Sequence, residues 1–244
     1  MELHVHINLL AIVIQSILVP EDMRHQNSVL NLDNQMPERI FTEWVPRCIT
    51  CLRENIRINH LMSFIRYENG TNLFPEAERV GTELFDDPER LWSEFDLGEI
   101  PDEELISRYS KKYPKDKEAI AWFIRHGEYM HVARPAVWKM VKKLKQDGYG
   151  IYLLSNYSEG LFKKHTEYAD FMQDIDGMVV SYMVNKAKPD RAIYQALCDK
   201  YNLKPEECLF FDDRAENVEG AVKFGMDSIQ VVSQKQLLTE LEKL

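Results

Sequence analysis

Cys208-Leu209-Phe210-Phe211-Asp212-Asp213-Arg214-Ala215-Glu216-Asn217-Val218-Glu219-Gly220-Ala221 holds an apolar run, then two adjacent carboxylates, then a helical pattern. The run predicts a buried strand, and Ala215 to Phe224, stopped by Gly225, predicts the helix after it. The same alternation recurs toward the N-terminus. Asp190 through Tyr201 predicts a helix, Met178-Val179-Val180 a strand, and Ile151-Tyr152-Leu153-Leu154 a strand ending at Ser155-Asn156. Ahead of these, Ala136, Val137, Met140, Val141 and Leu144 recur at helical spacing, with Lys142, Lys143 and Lys145 on the outer face and Gly148 as the stop. Toward the C-terminus, Ser228 to Val232 predicts the last strand. Repeated strand-helix units with short connections predict an α/β fold, a doubly wound and mainly parallel sheet with helices on both faces. Ligands bind such sheets beyond the carboxyl ends of the strands, so the exits at Ser155-Asn156 and Asp212-Asp213 are expected to lie beside one crevice.

Before residue 134 the pattern differs. Glu76 to Met130 reads as helical, and Pro101-Asp102-Glu103-Glu104 opens one helix with a proline and an acidic first turn. Leu91, Trp92, Phe95, Trp122 and Phe123 fall at helical spacing and are expected in the core. The chain of 244 residues can bury one sizeable core and carry a smaller second lobe. Its 45% hydrophobic and 29% charged residues are those of a soluble globular protein, and a net charge of −10 argues against nucleic acid held by phosphate contacts. An anionic substrate therefore needs local positive charge or a metal. Ile7 to Val19 is apolar but shorter than the roughly 20 residues of a membrane-spanning helix, so it reads as a buried strand or helix and no membrane partner is expected. Met1-Glu2-Leu3-His4 offers no basic leader, and Cys48, Cys51, Cys198 and Cys208 are too scattered for a disulfide scaffold. A reducing cytoplasm is the expected compartment. Cys48-x-x-Cys51 lacks the second ligand pair of a zinc site and reads as ordinary thiols.

Asp212 and Asp213 leave an apolar strand together and repel one another unless a cation compensates them. Magnesium suits such a pair, because it prefers oxygen ligands and commonly uses one or two carboxylates with water and substrate phosphate. A helix N-cap before Ala215 is the other role open to them. Ser155 stands where its hydroxyl and the amides of the next turn can hold a phosphoryl oxygen, although Ser155-Asn156 also suits a turn or cap. In Lys186-Ala187-Lys188-Pro189-Asp190 the proline occupies a plausible first helical position, which would fix Lys188 near the strand ends to stabilise transferred charge.

Three segments, Leu153-Leu154-Ser155-Asn156-Tyr157, Lys186-Ala187-Lys188-Pro189-Asp190-Arg191-Ala192-Ile193-Tyr194 and Phe210 to Ala221, resemble in order motifs II, III and IV of the haloacid dehalogenase (HAD) superfamily. Their wording is closest to its phosphatase branch with a small helical cap, which includes proteins similar to glucose-1-phosphate phosphatases. Leu91-Trp92-Ser93-Glu94-Phe95-Asp96-Leu97-Gly98-Glu99-Ile100 resembles that branch's cap. The resemblance implies a magnesium-dependent phosphatase of a small phosphorylated metabolite, a sugar phosphate foremost, on a HAD-like Rossmannoid core. It divides the chain into residues 1–72, unclear but able to include the first core strand, a helical cap over 73–132, and the core over 133–244. By the same resemblance Ser155 is the motif II hydroxyl, with Asn156 beside it in substrate binding. Lys188 is the motif III lysine, Asp212 and Asp213 form the Mg2+ site, and Asn217 is a supporting contact.

The family's nucleophile comes from motif I, an apolar strand followed by Asp-x-Asp, and that pattern has no counterpart here. Ile7 to Val19 ends in Pro20-Glu21-Asp22, and Val29-Leu30-Asn31-Leu32-Asp33-Asn34-Gln35 has one aspartate with no acidic residue two places on. Asp33 and Asp22 are the candidates, the first on its preceding apolar residues, the second on the longer strand before it. The family works through an aspartyl phosphate, so a chain without that carboxylate is expected to turn over poorly or to act as a degenerate homologue that binds a ligand or a protein.

Overall fold

Gly150 to Ser155 and Cys208 to Asp212 are apolar runs bounded by glycine or charge, and each becomes an inner strand of a sheet that has five strands among the described residues. The computed structural model describes residues 11–14, 80–81, 83–85, 87–125, 134–167 and 169–244. The strands are β1 (Ala11–Ile14), β2 (Gly150–Ser155), β3 (Gly177–Val180), β4 (Cys208–Asp212) and β5 (Asp227–Gln230). Their order is β3-β2-β1-β4-β5, and every pairing is parallel. β1 is the centre of the sheet: Ile14 is in register with Leu153 of β2 on one side and Phe211 of β4 on the other. It comes from the apolar run Ile7 to Val19. The exits at Ser155 and Asp212 therefore flank a third strand instead of adjoining one another.

Helices follow the strands in the alternation that the sequence predicts. They are α1 (Leu91–Asp96), α2 (Asp102–Lys112), α3 (Lys117–Arg125), α4 (Pro135–Gln146), α5 (Glu159–Thr166), α6 (Ser181–Val184), α7 (Arg191–Tyr201), α8 (Ala215–Phe224) and α9 (Gln234–Leu241). The period of two along β4 sorts its side chains between two layers. Cys208 and Phe210 pack with Ile193 and Leu197 of α7 and Ala221 of α8, whereas Leu209 and Phe211 pack with Val137 and Val141 of α4 and Leu237 of α9. Helices on both faces make the sheet doubly wound. Among the described residues no helix is long and apolar enough to cross a membrane.

The stretch expected as helical from Glu76 breaks into separate helices, because Pro101 and Pro114 stand in the connections between α1, α2 and α3. Pro101 takes the N-cap place of α2 and not the first helical position that the sequence suggested for it, which Asp102 fills. Phe95, Tyr109 and Phe123 of these helices bury themselves in one cluster with Leu153 of β2, Phe162 of α5 and Val180 of β3. The last turn of α1 leaves carbonyls without helical donors, and α6 supplies them. Ser181 Oγ donates to the Asp96 carbonyl, and Asn185 Nδ2 donates to that of Leu97 at 2.9 Å. The boundaries at 72/73 and 132/133 lie outside the described residues.

At one edge of the sheet the hydroxyl of Tyr201 accepts the Met178 N–H (2.8 Å) and lies 3.0 Å from the Met178 carbonyl. This arrangement requires Gly177, since a Cβ there would sit 2.3 Å from the Tyr201 ring.

Candidate active site

Asp212 is the last residue of β4 and is fully buried. Three donor groups make four hydrogen bonds to its two oxygens. Lys188 Nζ lies 2.9 Å from Oδ2, the Arg214 N–H lies 2.9 Å from Oδ1, and Asn217 Nδ2 reaches Oδ1 at 3.0 Å and Oδ2 at 3.1 Å. Asn217 is on the first turn of α8, and its carbonyl accepts the Tyr194 hydroxyl at 2.7 Å, which fixes the helix start. Arg214 occupies the N-cap place of α8, so neither aspartate is the helix cap that the sequence left open.

Lys188 lies on the loop between α6 and α7, and its side chain is as fully buried as that of Asp212. Its ammonium also donates to the Leu154 carbonyl at 2.7 Å, so one group ties the exit of β2 to the exit of β4 across β1. Burial pushes the lysine below its usual pKa, while the charge of Asp212 pulls the other way. A buried ion pair of this kind depends on both partners, because either charge left alone costs about 3–5 kcal/mol. Pro189 is not the first residue of α7. Asp190 takes the N-cap place, accepting the Ala192 N–H at 3.0 Å, and the helix begins at Arg191.

Ser155 closes β2, fully buried and in register with Val180. The helix after it starts later than the sequence suggested, since the cap of α5 is Ser158, whose hydroxyl accepts the Leu161 N–H at 3.4 Å. Asn156 engages the Lys188 main chain with both ends of its amide: Oδ1 accepts the Lys188 N–H at 2.9 Å and Nδ2 donates to the Lys188 carbonyl at 3.0 Å. Opposite, Gly220 admits the loop to the face of α8, where a Cβ would stand 2.7 Å from the Pro189 carbonyl. Gly220 and Tyr194 were not singled out in the sequence. The only signal was a glycine inside a helical pattern, which often marks close packing.

The donors suit a hard cation. Burial first, and Asp212 second, push the Asp213 carboxyl above the usual carboxylate range. Among the described residues no group of three or more His, Cys, Asp or Glu could hold a metal. A two-carboxylate oxygen set still fits magnesium, which takes water and substrate phosphate for its remaining positions. Asp22, Asp33, Cys48 and Cys51 lie outside the described residues. In the sequence, the first carboxylate after Ile14 is Glu21.

A family model described as haloacid dehalogenase-like hydrolase matches residues 40–225. Among curated proteins, the (S)-2-haloacid dehalogenase 4A of Burkholderia cepacia is 24% identical over 56% of this chain and 59% of its own length. The phosphatase MT3486 of Mycobacterium tuberculosis is 34% identical over 38% of this chain and 42% of its own. The matched part of the chain thus spans under two thirds of either relative. Among solved structures, a HAD family enzyme of Bacteroides thetaiotaomicron, in its magnesium complex, superposes with a TM-score of 0.57 at 18% identity, covering 93% of this chain and 95% of that one. The L-2-haloacid dehalogenase of Xanthobacter autotrophicus superposes with a TM-score of 0.58 at 13% identity, covering 96% and 83%. These likenesses are of fold.

Proposed function

This chain belongs to the haloacid dehalogenase-like hydrolases, and we propose that it is a cytoplasmic, magnesium-dependent phosphatase of a small phosphorylated metabolite, a sugar phosphate foremost. The observation that carries this reading is the ammonium of Lys188, held between the Leu154 carbonyl and Asp212 at the carboxyl end of the sheet. A phosphoryl group bound there would meet a buried cation, the Ser155 hydroxyl at the exit of β2, and the Asp212-Asp213 pair. Ser155 and Lys188 bind and orient the phosphoryl oxygens in this assignment, and Asn217 holds Asp212 in place. Asp212 and Asp213 would hold the magnesium ion, which supplies charge neutralisation for the phosphoryl group when bound. Residues 73–132 form the cap in this reading and residues 133–244 the core. Substrate choice then belongs to the cap and to loops that similar folds vary freely.

A second reading, a degenerate homologue that binds a ligand or a protein without turnover, is favoured by one feature of the sequence. β1 ends at Ile14 and the chain continues Gln15-Ser16-Ile17-Leu18-Val19-Pro20 before its next carboxylate. Electrostatic positioning does not replace a nucleophile. Hydrolysis of p-nitrophenyl phosphate and of a sugar-phosphate panel, with phosphate binding measured in parallel, separates the two. The expected result is weak magnesium-dependent turnover that Asp33→Asn or Asp22→Asn removes. Phosphate binding with no turnover selects the second reading, and a protein that neither binds nor hydrolyses overturns the proposed site.

A further inference from the structure

We infer that Asn156 is a positioning residue that acts through Lys188, one wall of a clamp whose other wall is Gly220. The inference rests on the phosphoryl site proposed above and moves Asn156 from the substrate-binding role that the family resemblance implies to a supporting one. Lys188 is on a loop, and a loop by itself does not hold a long flexible side chain at one height. Asn156 supplies what the loop lacks. Its amide pairs with the Lys188 peptide as a strand neighbour would, accepting the N–H at 2.9 Å and donating to the carbonyl at 3.0 Å. That anchors the lysine main chain to the residue directly after Ser155. On the other side, the Pro189 carbonyl is so close to α8 that a Cβ on Gly220 would stand 2.7 Å from it and 3.0 Å from the Tyr194 hydroxyl. Between these walls the ammonium reaches the Leu154 carbonyl and Asp212 together. Asn156 therefore sets where the positive charge sits, and both ends of its amide already have main-chain partners.

The test reads the Lys188 ammonium itself. In a proton–nitrogen spectrum of lysine side chains, the Lys188 resonance is identified by its loss in Lys188→Arg. Asn156→Ala is expected to move this resonance, to speed its exchange with water, and to weaken binding of inorganic phosphate with magnesium about tenfold, as loss of an outer-shell partner does. Asn156→Asp keeps the shape and loses the donor to the Lys188 carbonyl, so it gives the same change if the alanine variant does not fold. Gly220→Ala, which pushes Pro189 from the opposite wall, is expected to move the same resonance. Ser233→Ala removes the cap of α9, where the hydroxyl accepts the Gln236 N–H at 3.1 Å, and should lower the Tm without moving it. An unchanged Lys188 resonance in folded Asn156 variants overturns the inference. So does weakened phosphate binding with Lys188 undisturbed, which would make Asn156 a direct ligand contact. If the parent protein binds no phosphate, the proposed function falls, and the Lys188 resonance still decides whether Asn156 positions the lysine.

Discussion

At the scale of single residues, the site is organised around one ion pair with no exposed atoms, Lys188 with Asp212. Lys188→Met leaves Asp212 charged and buried, and is expected to lower stability by about 3–5 kcal/mol in urea unfolding; replacing both partners by apolar residues should recover much of that loss. Asp213 stands outside the pair, pushed toward protonation by burial and by its neighbour. Magnesium is expected to raise the Tm of the parent by binding the folded state, and Asp213→Ala should abolish the rise. A rise that survives the substitution would put the ion elsewhere. Much of this geometry was legible in the sequence, because Ser155 and Asp212 each end a recognisable apolar run and Lys188 stands in the short connection ahead of a recognisable helix. The work of Asn156 and Gly220 was not. Both act on main-chain atoms of a loop distant in sequence, and such contacts leave no periodic trace.

At the scale of elements, strands with a clear polar stop were readable, whereas an apolar run without one was not. β4 and α8 follow from the switch at Asp212-Asp213 and the stop at Gly225. β1 did not, since an apolar run such as Ile7 to Val19 is compatible with strand or helix until its neighbours are known. The junction of β2, β3 and α4 offers a test of how elements are joined. Asp176 accepts the Ile151 N–H at 2.8 Å and pairs with Lys145 at 2.9 Å. Its partial burial works to raise the carboxyl pKa, but the Ile151 N–H and then Lys145 outweigh it and hold the group below the usual range. A carboxyl depressed on folding contributes stability above its unfolded pKa and loses it as pH falls through the folded value. Asp176→Asn should therefore lower the urea midpoint at pH 7, and its difference from the parent should shrink below about pH 4. A difference that is constant with pH would mean that the charge is not what joins them.

At the scale of the whole molecule, the helices α1 to α3 and the sheet share one apolar cluster, and α6 grips the end of α1 through Ser181 and Asn185. The two layers are thereby expected to unfold together. Phe123→Ala, at a position with no exposure, should cost about 3–5 kcal/mol and shift far-ultraviolet and near-ultraviolet circular dichroism transitions equally. Separate transitions would make the helical layer an independent unit. The Tyr201 hydroxyl has a consequence of a different kind. An edge strand is a template on which another chain can add its own strand, and occupied donors and acceptors deny it that use. By engaging both main-chain groups of Met178, Tyr201 removes a rung from that template, so Tyr201→Phe should make concentrated protein more prone to form fibrils that bind amyloid dyes.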